Sequence, residues 1–122
     1  MVTGSDSYCG DGQPLARCDG LRISAEPGAS ERGLIVSISG ELDIFNADSL
    51  VDAVGGLELD GDRTVVLDLT GLTFCDAAGV SALLTTNRFL RHHGRRLKIH
   101  GISGMPRRVL SLTGADHVLE VE

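Results

Sequence analysis

Residues 64–69 read TVVLDL and residues 74–80 read FCDAAGV, and together they predict a strand, a tight turn and a helix. The first stretch is apolar at nearly every position, which is typical of a strand that is buried on both faces or nearly so. In the second stretch, Asp76 is predicted to cap the helix that starts at about Ala77, because its carboxylate can accept hydrogen bonds from the free amides of the first turn. A buried strand followed by a capped helix is typical of an α/β fold.

The same alternation of strands and helices continues on both sides of this segment. Alternating apolar and polar residues predict strands, and apolar residues three and four positions apart predict helices, the first of them capped by Asn46 and ended by Gly55 and Gly56. The predicted order β-β-α-β-α-β-α-β indicates an α/β fold with a mixed sheet and helices packed on it. The predicted strands are 21–25, 34–38, 64–69, 97–100 and 117–121, and the predicted helices are 47–54, 77–93 and 103–113.

The length of 122 residues predicts a single domain with a short N-terminal arm. Residues 1–19 are rich in glycine and short polar residues and show no hydrophobic period, so they are predicted to form an irregular arm. Regular patterning begins at Leu21. The domain is therefore predicted to occupy residues 20–122.

The charge of the chain is negative overall and unevenly distributed. The formal net charge is -6; residues 1–79 hold 4 basic and 14 acidic side chains, and residues 80–122 hold 7 basic and 3 acidic ones. An acidic chain with 3% aromatic residues lacks the positive surface and the stacking rings of nucleic-acid binders, so no nucleic-acid partner is expected. Basic residues at the end of the second predicted helix are interpreted as complements of the helix dipole. They are Arg88, Arg91, Arg95, Arg96 and Lys98.

Signals for membranes and secretion are absent from the sequence. No run approaches the ~18 apolar residues that a transmembrane helix requires, and the first residues lack the basic and apolar regions of a signal peptide. No membrane insertion is expected, and a cytoplasmic location is predicted. The pattern carries no prediction of the oligomeric state.

Motifs for catalysis, cofactors and metals are also absent. There is no Walker loop and no G-x-G-x-x-G after a strand, which disfavours a nucleotide-dependent enzyme. Residues 79–83 lack the second glycine of the G-x-S-x-G elbow, which disfavours a hydrolase built on Ser81. Asp43, Asp68 and Asp76 are candidates to meet around a cation at one sheet edge, but helix capping is the better interpretation of Asp76. We therefore expect a protein that is not an enzyme and holds no cofactor or metal.

The cysteines Cys9, Cys18 and Cys75 form no C-x-x-C pair and match neither a disulfide scaffold nor a zinc site. A free cysteine most often acts as a small buried apolar residue, and this is the interpretation of Cys75 in the predicted turn. Its place beside a helix N-terminus favours the thiolate, whereas the neighbouring Asp76 opposes it. A redox role for Cys75 is therefore kept as an alternative.

Two predicted loops, residues 39–45 and 70–76, qualify as the functional region. Both follow predicted strands, and in sheets of this class sites lie beyond the carboxyl ends of the strands, where loops enter helices. The two loops are therefore expected to lie close together at one edge of the sheet.

Three segments carry a resemblance to a known family: ISGELD at residues 38–43, VVLDL at 65–69 and FCDAAGV at 74–80. In order and spacing they resemble the STAS-domain anti-sigma factor antagonists, over roughly residues 21–122, with VLSLTG at 109–114 matching the family's third helix. The resemblance implies a STAS-like mixed sheet. It also implies a protein that binds an anti-sigma factor of the serine-kinase type and thereby frees a sigma factor. In the family, that kinase phosphorylates the serine after the helix-capping Asp, and the phosphorylated form no longer binds.

The family's phosphoserine is replaced in this chain. Carried over by position, Asp76 matches the capping Asp, Ala77 stands at the phosphorylated serine, and Ala78 stands where a second Ser or Thr is usual. A methyl group cannot accept phosphate, so the resemblance implies an antagonist without the ordinary switch. The implied partner-binding residues are Leu42, Asp43, Asp76, Ala77, Ala78, Gly79, Val80 and Leu83.

A second function stays open, that of a STAS subunit in a larger assembly such as a lipid-transport ATPase complex or a stress-signalling scaffold. The phosphoserine is often dispensable in such assemblies, so the pair Ala77 and Ala78 fits this alternative as well. Gene neighbourhood distinguishes the two functions, because a neighbouring sigma/anti-sigma pair favours the antagonist and a neighbouring ABC permease favours the assembly.

Overall fold

The computed structural model describes residues 13–18, 20–28, 33–57 and 64–122. In these ranges the chain forms one six-stranded sheet, three α-helices and a 3-10 turn, which confirms the predicted α/β class. The strands are β1 (Gln13–Cys18), β2 (Leu21–Pro27), β3 (Gly33–Leu42), β4 (Thr64–Cys75), β5 (Arg96–His100) and β6 (Glu120–Val121). The helices are α1 (Ala47–Gly55), α2 (Ala77–His92) and α3 (Gly104–Thr113), and the 3-10 turn is Ala115–His117.

The sheet is mixed, as predicted, and its strands lie side by side in chain order from β1 to β6. β1, β2 and β3 pair antiparallel, whereas β3, β4, β5 and β6 pair parallel. Each parallel pair is joined by a crossover helix. Because the parallel strands run in one direction, β3 and β4 end at the same edge, where the chain enters α1 and α2.

The apolar core lies on one face of the sheet. In the first half of β4, Val65 and Leu67 are fully buried, whereas Val66 and Asp68 between them are partly exposed. The prediction that this strand is buried on both faces was therefore wrong, because successive side chains of a strand point to opposite faces and the helices cover one of them. On the covered face, α2 packs on β4 and β5, α3 packs on β4, and α1 packs against α2.

Strand β1 lies in the segment that was predicted to be an irregular arm. It pairs antiparallel with β2 as an edge strand, and its register shifts between Pro14 and Ala16. A proline and a bulge are tolerated at an edge, but they interrupt the alternation that marks a strand in sequence. The rest of the predicted arm, residues 1–12 and residue 19, lies outside the described residues.

The bounds of α2 agree with the prediction to within one residue, since the helix ends at His92. Gly94 follows with a left-handed φ of 75°, which glycine adopts at low cost after a helix. No helix in the described ranges is both long and apolar enough to cross a bilayer.

The last predicted strand, 117–121, is shorter in the structure. The amides of His117, Val118 and Leu119 donate to carbonyls three or four residues earlier, so this part of the chain turns locally. Strand pairing is left to Glu120–Val121.

Candidate functional site

The edge of the sheet that carries the site is built from strands where loops were predicted. β3 continues to Leu42 and β4 to Cys75, and these two residues pair in parallel register. The register shifts twice along this extension. The prediction of loops at 39–45 and 70–76 was therefore largely wrong, because irregular strands lose the two-residue period by which strands are recognised.

A compact turn connects β3 to α1. The Oδ1 atom of Asp43 accepts a hydrogen bond from the Phe45 amide at 2.9 Å, and the Asp43 carbonyl accepts one from the Ala47 amide at 2.9 Å. The Asn46 side chain accepts from the Asp43 amide and donates to the Glu41 carbonyl, both at 2.9 Å. The turn is thus held by its own polar groups in a defined conformation.

Asn46 precedes α1 as predicted, but its side chain does not cap the helix. It makes no hydrogen bond to the amides of the first turn, and it is fully buried beneath the turn. The sequence pattern correctly predicts which residue precedes α1. The hydrogen-bond partners of the buried Asn46 side chain depend on the backbone groups around it, which the pattern does not show.

Asp76 joins this turn to α2. Its Oδ1 atom accepts a hydrogen bond from the Gly79 amide at 2.9 Å, which confirms the predicted capping of α2. Its Oδ2 atom accepts a longer bond, 3.3 Å, from the Ile44 amide, and the Asp76 amide donates to the Leu42 carbonyl at 3.3 Å. One carboxylate therefore positions the β3–α1 turn relative to the N-terminus of α2.

Gly79 allows α2 to approach the end of β3 closely. A Cβ atom at this position would lie 2.7 Å from both the Cys75 Sγ and the Leu42 carbonyl oxygen. Favourable contacts between carbon atoms begin at about 3.5 Å, so these distances are repulsive. Glycine is the residue that fits here without displacing the strand end.

The eight residues predicted to bind a partner divide into a buried group and an accessible group. The buried group is Leu42, Gly79, Val80 and Leu83. These four residues support the surface from beneath and are not available to a partner in this conformation. The accessible group is Asp43, Asp76, Ala77 and Ala78, of which Ala77 is exposed and the others are partly exposed.

Exposed apolar side chains lie next to the accessible group, and the predicted interface did not include them. Ile44 and Phe45 in the turn are 70% and 79% exposed, and Phe74 near the end of β4 is 36% exposed. The sequence did contain a signal for this exposure. Ile44 and Phe45 are an apolar pair between Asp43 and Asn46, at turn positions where polar residues are usual. We define the turn–helix surface as Asp43, Ile44, Phe45, Asp76, Ala77 and Ala78.

Cys75 is fully buried behind this surface. Burial, and then the neighbouring Asp76 carboxylate, raise the pKa of the Cys75 thiol from 9.0 to about 11. Little thiolate is therefore present at neutral pH, and the thiolate is the form that oxidation requires. These properties argue against the redox alternative, and Cys9 lies outside the described residues.

We expect iodoacetamide to label Cys75 about 100-fold more slowly in the folded protein than in urea, since a pKa near 11 instead of 9.0 lowers the thiolate fraction by that factor. Peptide mapping by mass spectrometry separates Cys75 from the other cysteines. Because the unfolded thiol has the lower pKa and loses its proton first, the free energy of unfolding should fall between pH 9.0 and about 11. Equal labelling rates in the two states would contradict this description of Cys75.

Asp68 does not join Asp43 and Asp76. It lies within β4, where its Oδ1 atom accepts hydrogen bonds from the amide and the hydroxyl of Thr70. Seven residue steps separate Asp68 from Cys75 at the end of β4, which corresponds to about 23 Å of strand. Among the described residues, no group of three or more His, Cys, Asp or Glu side chains is placed to hold a metal ion.

Known proteins share this architecture over most of the chain. The STAS domain family matches residues 24–122. The anti-sigma-B factor antagonist of Staphylococcus aureus is 23% identical over 101 residues, which are 83% of this chain and 94% of that protein. The crystal structure of an anti-sigma factor antagonist from Mycobacterium paratuberculosis gives a TM-score of 0.71 at 26% identity, covering 88% of this chain and 89% of the other.

A sulfate transporter family protein from Wolinella succinogenes shares the fold as well. Its crystal structure gives a TM-score of 0.65 at 21% identity and covers 78% of this chain and 84% of the other. The sheet order, the capped α2 and the match over residues 24–122 lead to one conclusion: the chain belongs to the STAS domain family.

Proposed function

We propose that this protein is an anti-sigma factor antagonist, which binds an anti-sigma factor of the serine-kinase type and frees a sigma factor without a serine switch of its own. The observation that carries the proposal is the exposed Ala77, which opens α2 directly after the capping Asp76. The relatives from Staphylococcus aureus and Mycobacterium paratuberculosis bear the name of this function. In this proposal the chain is a cytoplasmic binding module and not an enzyme.

A phosphate at position 77 would change the charge of the turn–helix surface. Asp43 and Asp76 already contribute carboxylates there, and a phosphoserine adds a charge of about -1.5 to -2 at neutral pH. The helix N-terminus tolerates that charge, so its effect falls on a docking partner, which meets a more negative and more hydrated surface. Alanine keeps this position small and uncharged. The protein is then competent for binding at all times.

Ile44 and Phe45 supply the apolar part of the proposed interface. Their backbone amides donate to the carboxylates of Asp76 and Asp43, so the turn presents both side chains in a preformed conformation. Preformed loops lose little conformational entropy on binding. Aromatic side chains at the centre of an interface commonly contribute a large part of the binding energy.

Phe45→Ala is expected to weaken binding to the anti-sigma factor about 10-fold. Truncating an aromatic side chain that becomes buried in an interface commonly costs about 1–2 kcal/mol of binding free energy. Leu112→Ala is the matched control, since Leu112 on α3 is also 79% exposed and lies outside the turn–helix surface. Isothermal titration of both variants measures the effect. An unchanged affinity of the Phe45→Ala variant would show that the turn is not part of the interface.

Release of the sigma factor tests the function itself. The chain is added to the purified complex of the anti-sigma factor with its sigma factor, and free sigma factor is measured by size-exclusion chromatography. We expect release with or without prior incubation with ATP and the kinase, and no phosphate on residues 76–79 by mass spectrometry. A complex that survives an excess of the chain would contradict the function.

Ser81 is the hydroxyl to monitor in the same experiment. It is exposed one helical turn beyond Ala77 on α2, but a serine within a helix is poorly presented to a kinase active site. We expect no modification there. Stoichiometric phosphate on Ser81 together with lost release would show that the switch has moved and is not absent.

The pair Ala77 and Ala78 also favours a second candidate, a STAS subunit of a larger assembly such as a lipid-transport ATPase complex or a stress-signalling scaffold. Affinity purification from the source cell distinguishes the two. Recovery of an ABC permease or scaffold components without an anti-sigma factor would support the assembly.

A further inference from the structure

Two adjoining depressions lie toward the C-terminal end of α2, away from the turn–helix surface. The first, of about 590 Å³, lies between the starts of β4 and β5 and the last turns of α2. The second, of about 520 Å³, lies along the side of the same helix. Asn87, Arg91 and Val118 line both of them. Each depression is as large as a typical small-molecule site.

Positive charge is concentrated on the walls of these depressions. Arg91, Arg95 and Arg96 line the first, Arg88 and Arg91 line the second, and Glu120 is the one carboxylate among the described lining residues. Glu120 is already paired with Arg96 through two hydrogen bonds of 2.8 Å. The side chains of Arg88 and Arg91 make no hydrogen bond or ion pair within the described ranges. The walls therefore carry excess positive charge in a chain whose net charge is -6.

Asn87 provides an independent observation. It is 6% exposed, and its side chain makes no hydrogen bond to any residue that the structure describes. It forms part of the wall that the two depressions share. Its amide atoms are not among the buried polar atoms that lack a partner, so they are accessible in the depression, where a polar group of a bound molecule can replace water as the hydrogen-bond partner.

The helix dipole accounts for these residues only in part. Arg91 in the last turn of α2 complements the negative end of the dipole, as the sequence predicts. The dipole does not account for the uncharged Asn87, nor for Arg96 of β5 facing the same space. Leu84 and Val118 add apolar surface to the second depression.

We propose that the two depressions form a binding site for a small organic phosphate. The guanidinium groups of Arg88 and Arg91 hold the phosphate oxygens, because their planar forks donate paired hydrogen bonds to such groups. The Asn87 amide bonds to a polar atom of the ligand, while Leu84 and Val118 contact its apolar part. The site lies away from the turn–helix surface, and its occupancy is measured without any protein partner.

Phenyl phosphate is the probe, because it joins a phosphate to an apolar ring. In an NMR titration of the full chain, we expect it to displace the side-chain amide signals of Asn87 and to bind more tightly than inorganic phosphate. Arg91→Gln is expected to weaken binding about tenfold, through loss of charge-assisted hydrogen bonds. Arg108→Gln is the matched control, because it removes the same charge from an exposed position of α3 outside both depressions.

Several outcomes would overturn the proposal. Unchanged Asn87 signals at millimolar phenyl phosphate would exclude the site. Equal losses of affinity for phenyl phosphate in Arg91→Gln and Arg108→Gln would show that binding responds only to the net charge of the protein. Equal affinities for phenyl phosphate and inorganic phosphate would remove the role of the apolar wall, and preferential binding of poly-glutamate there would assign the site to an acidic protein segment.

Discussion

Replacing Ala77 with Asp is expected to weaken binding of the anti-sigma factor by about 100-fold. Ala77 is exposed on the turn–helix surface, which already holds the carboxylates of Asp43 and Asp76. An additional carboxylate would lose its water on docking without gaining a partner, which costs about 2–5 kcal/mol, and about 1.4 kcal/mol corresponds to a factor of ten. Folding should not suffer, because an acidic residue in the first helical turn interacts favourably with the dipole.

Isothermal titration with the anti-sigma factor measures this effect, and thermal unfolding verifies that the variant is folded. Thr85→Asp is the matched control, since Thr85 is exposed on the same helix two turns further along and the variant gains the same charge. The control should bind with nearly unchanged affinity. Wild-type affinity in Ala77→Asp would place the interface elsewhere, and equal losses in both variants would indicate a response to net charge.

Gly79→Ala is expected to lower the free energy of unfolding by about 1–2 kcal/mol. The new methyl group would lie 2.7 Å from the Leu42 carbonyl oxygen and from the Cys75 Sγ, and overpacking of this kind costs about 1–3 kcal/mol, occasionally more. The backbone oxygen of a paired strand cannot move aside as a flexible side chain can. Alanine has a better helix propensity than glycine, which stabilises the variant by up to about 1 kcal/mol. The net effect is still destabilising, because the backbone oxygen of Leu42 cannot move away from the new methyl group.

Gly55→Ala is the control for this substitution. Gly55 is the last residue of α1, and an added Cβ would meet only Phe89, at 4.0 Å. The same chemical change should therefore leave stability unchanged or raise it by a few tenths of a kcal/mol. Urea unfolding of both variants measures the difference. Changes of the same sign and size would show that the close approach of α2 to β3 has no energetic consequence.

The local features of the site could be predicted from sequence. The capping Asp76, the start of α2 at Ala77 and the missing hydroxyl at that position all follow from neighbouring residues. Helix capping involves atoms three residues apart, so a short window contains the whole interaction. Gly94, which follows α2 in the left-handed conformation, is a local signal of the same kind, because glycine adopts that conformation at low cost after a helix.

Features that depend on distant segments were predicted less well. The irregular ends of β3 and β4 pair with each other over a register that shifts, which no local period reveals. The predicted interface included Leu42 and Leu83, whose side chains are fully buried, and omitted Phe45, which is 79% exposed. Apolar character alone does not distinguish a residue that supports a surface from one that is presented on it.

The sequence by itself determined the α/β order, the family resemblance and the absence of a phosphate acceptor at Ala77, because these depend on residue identity and on periods of two and 3.6 residues. Only the tertiary structure decided which of the apolar residues face solvent and that Asp76 bonds to the Ile44 amide, 32 positions earlier in the chain. Only it placed Asn87 on the wall that two arginine-lined depressions share. The physical reason is that burial and long-range hydrogen bonds are properties of segments brought together by folding, and no single segment contains them.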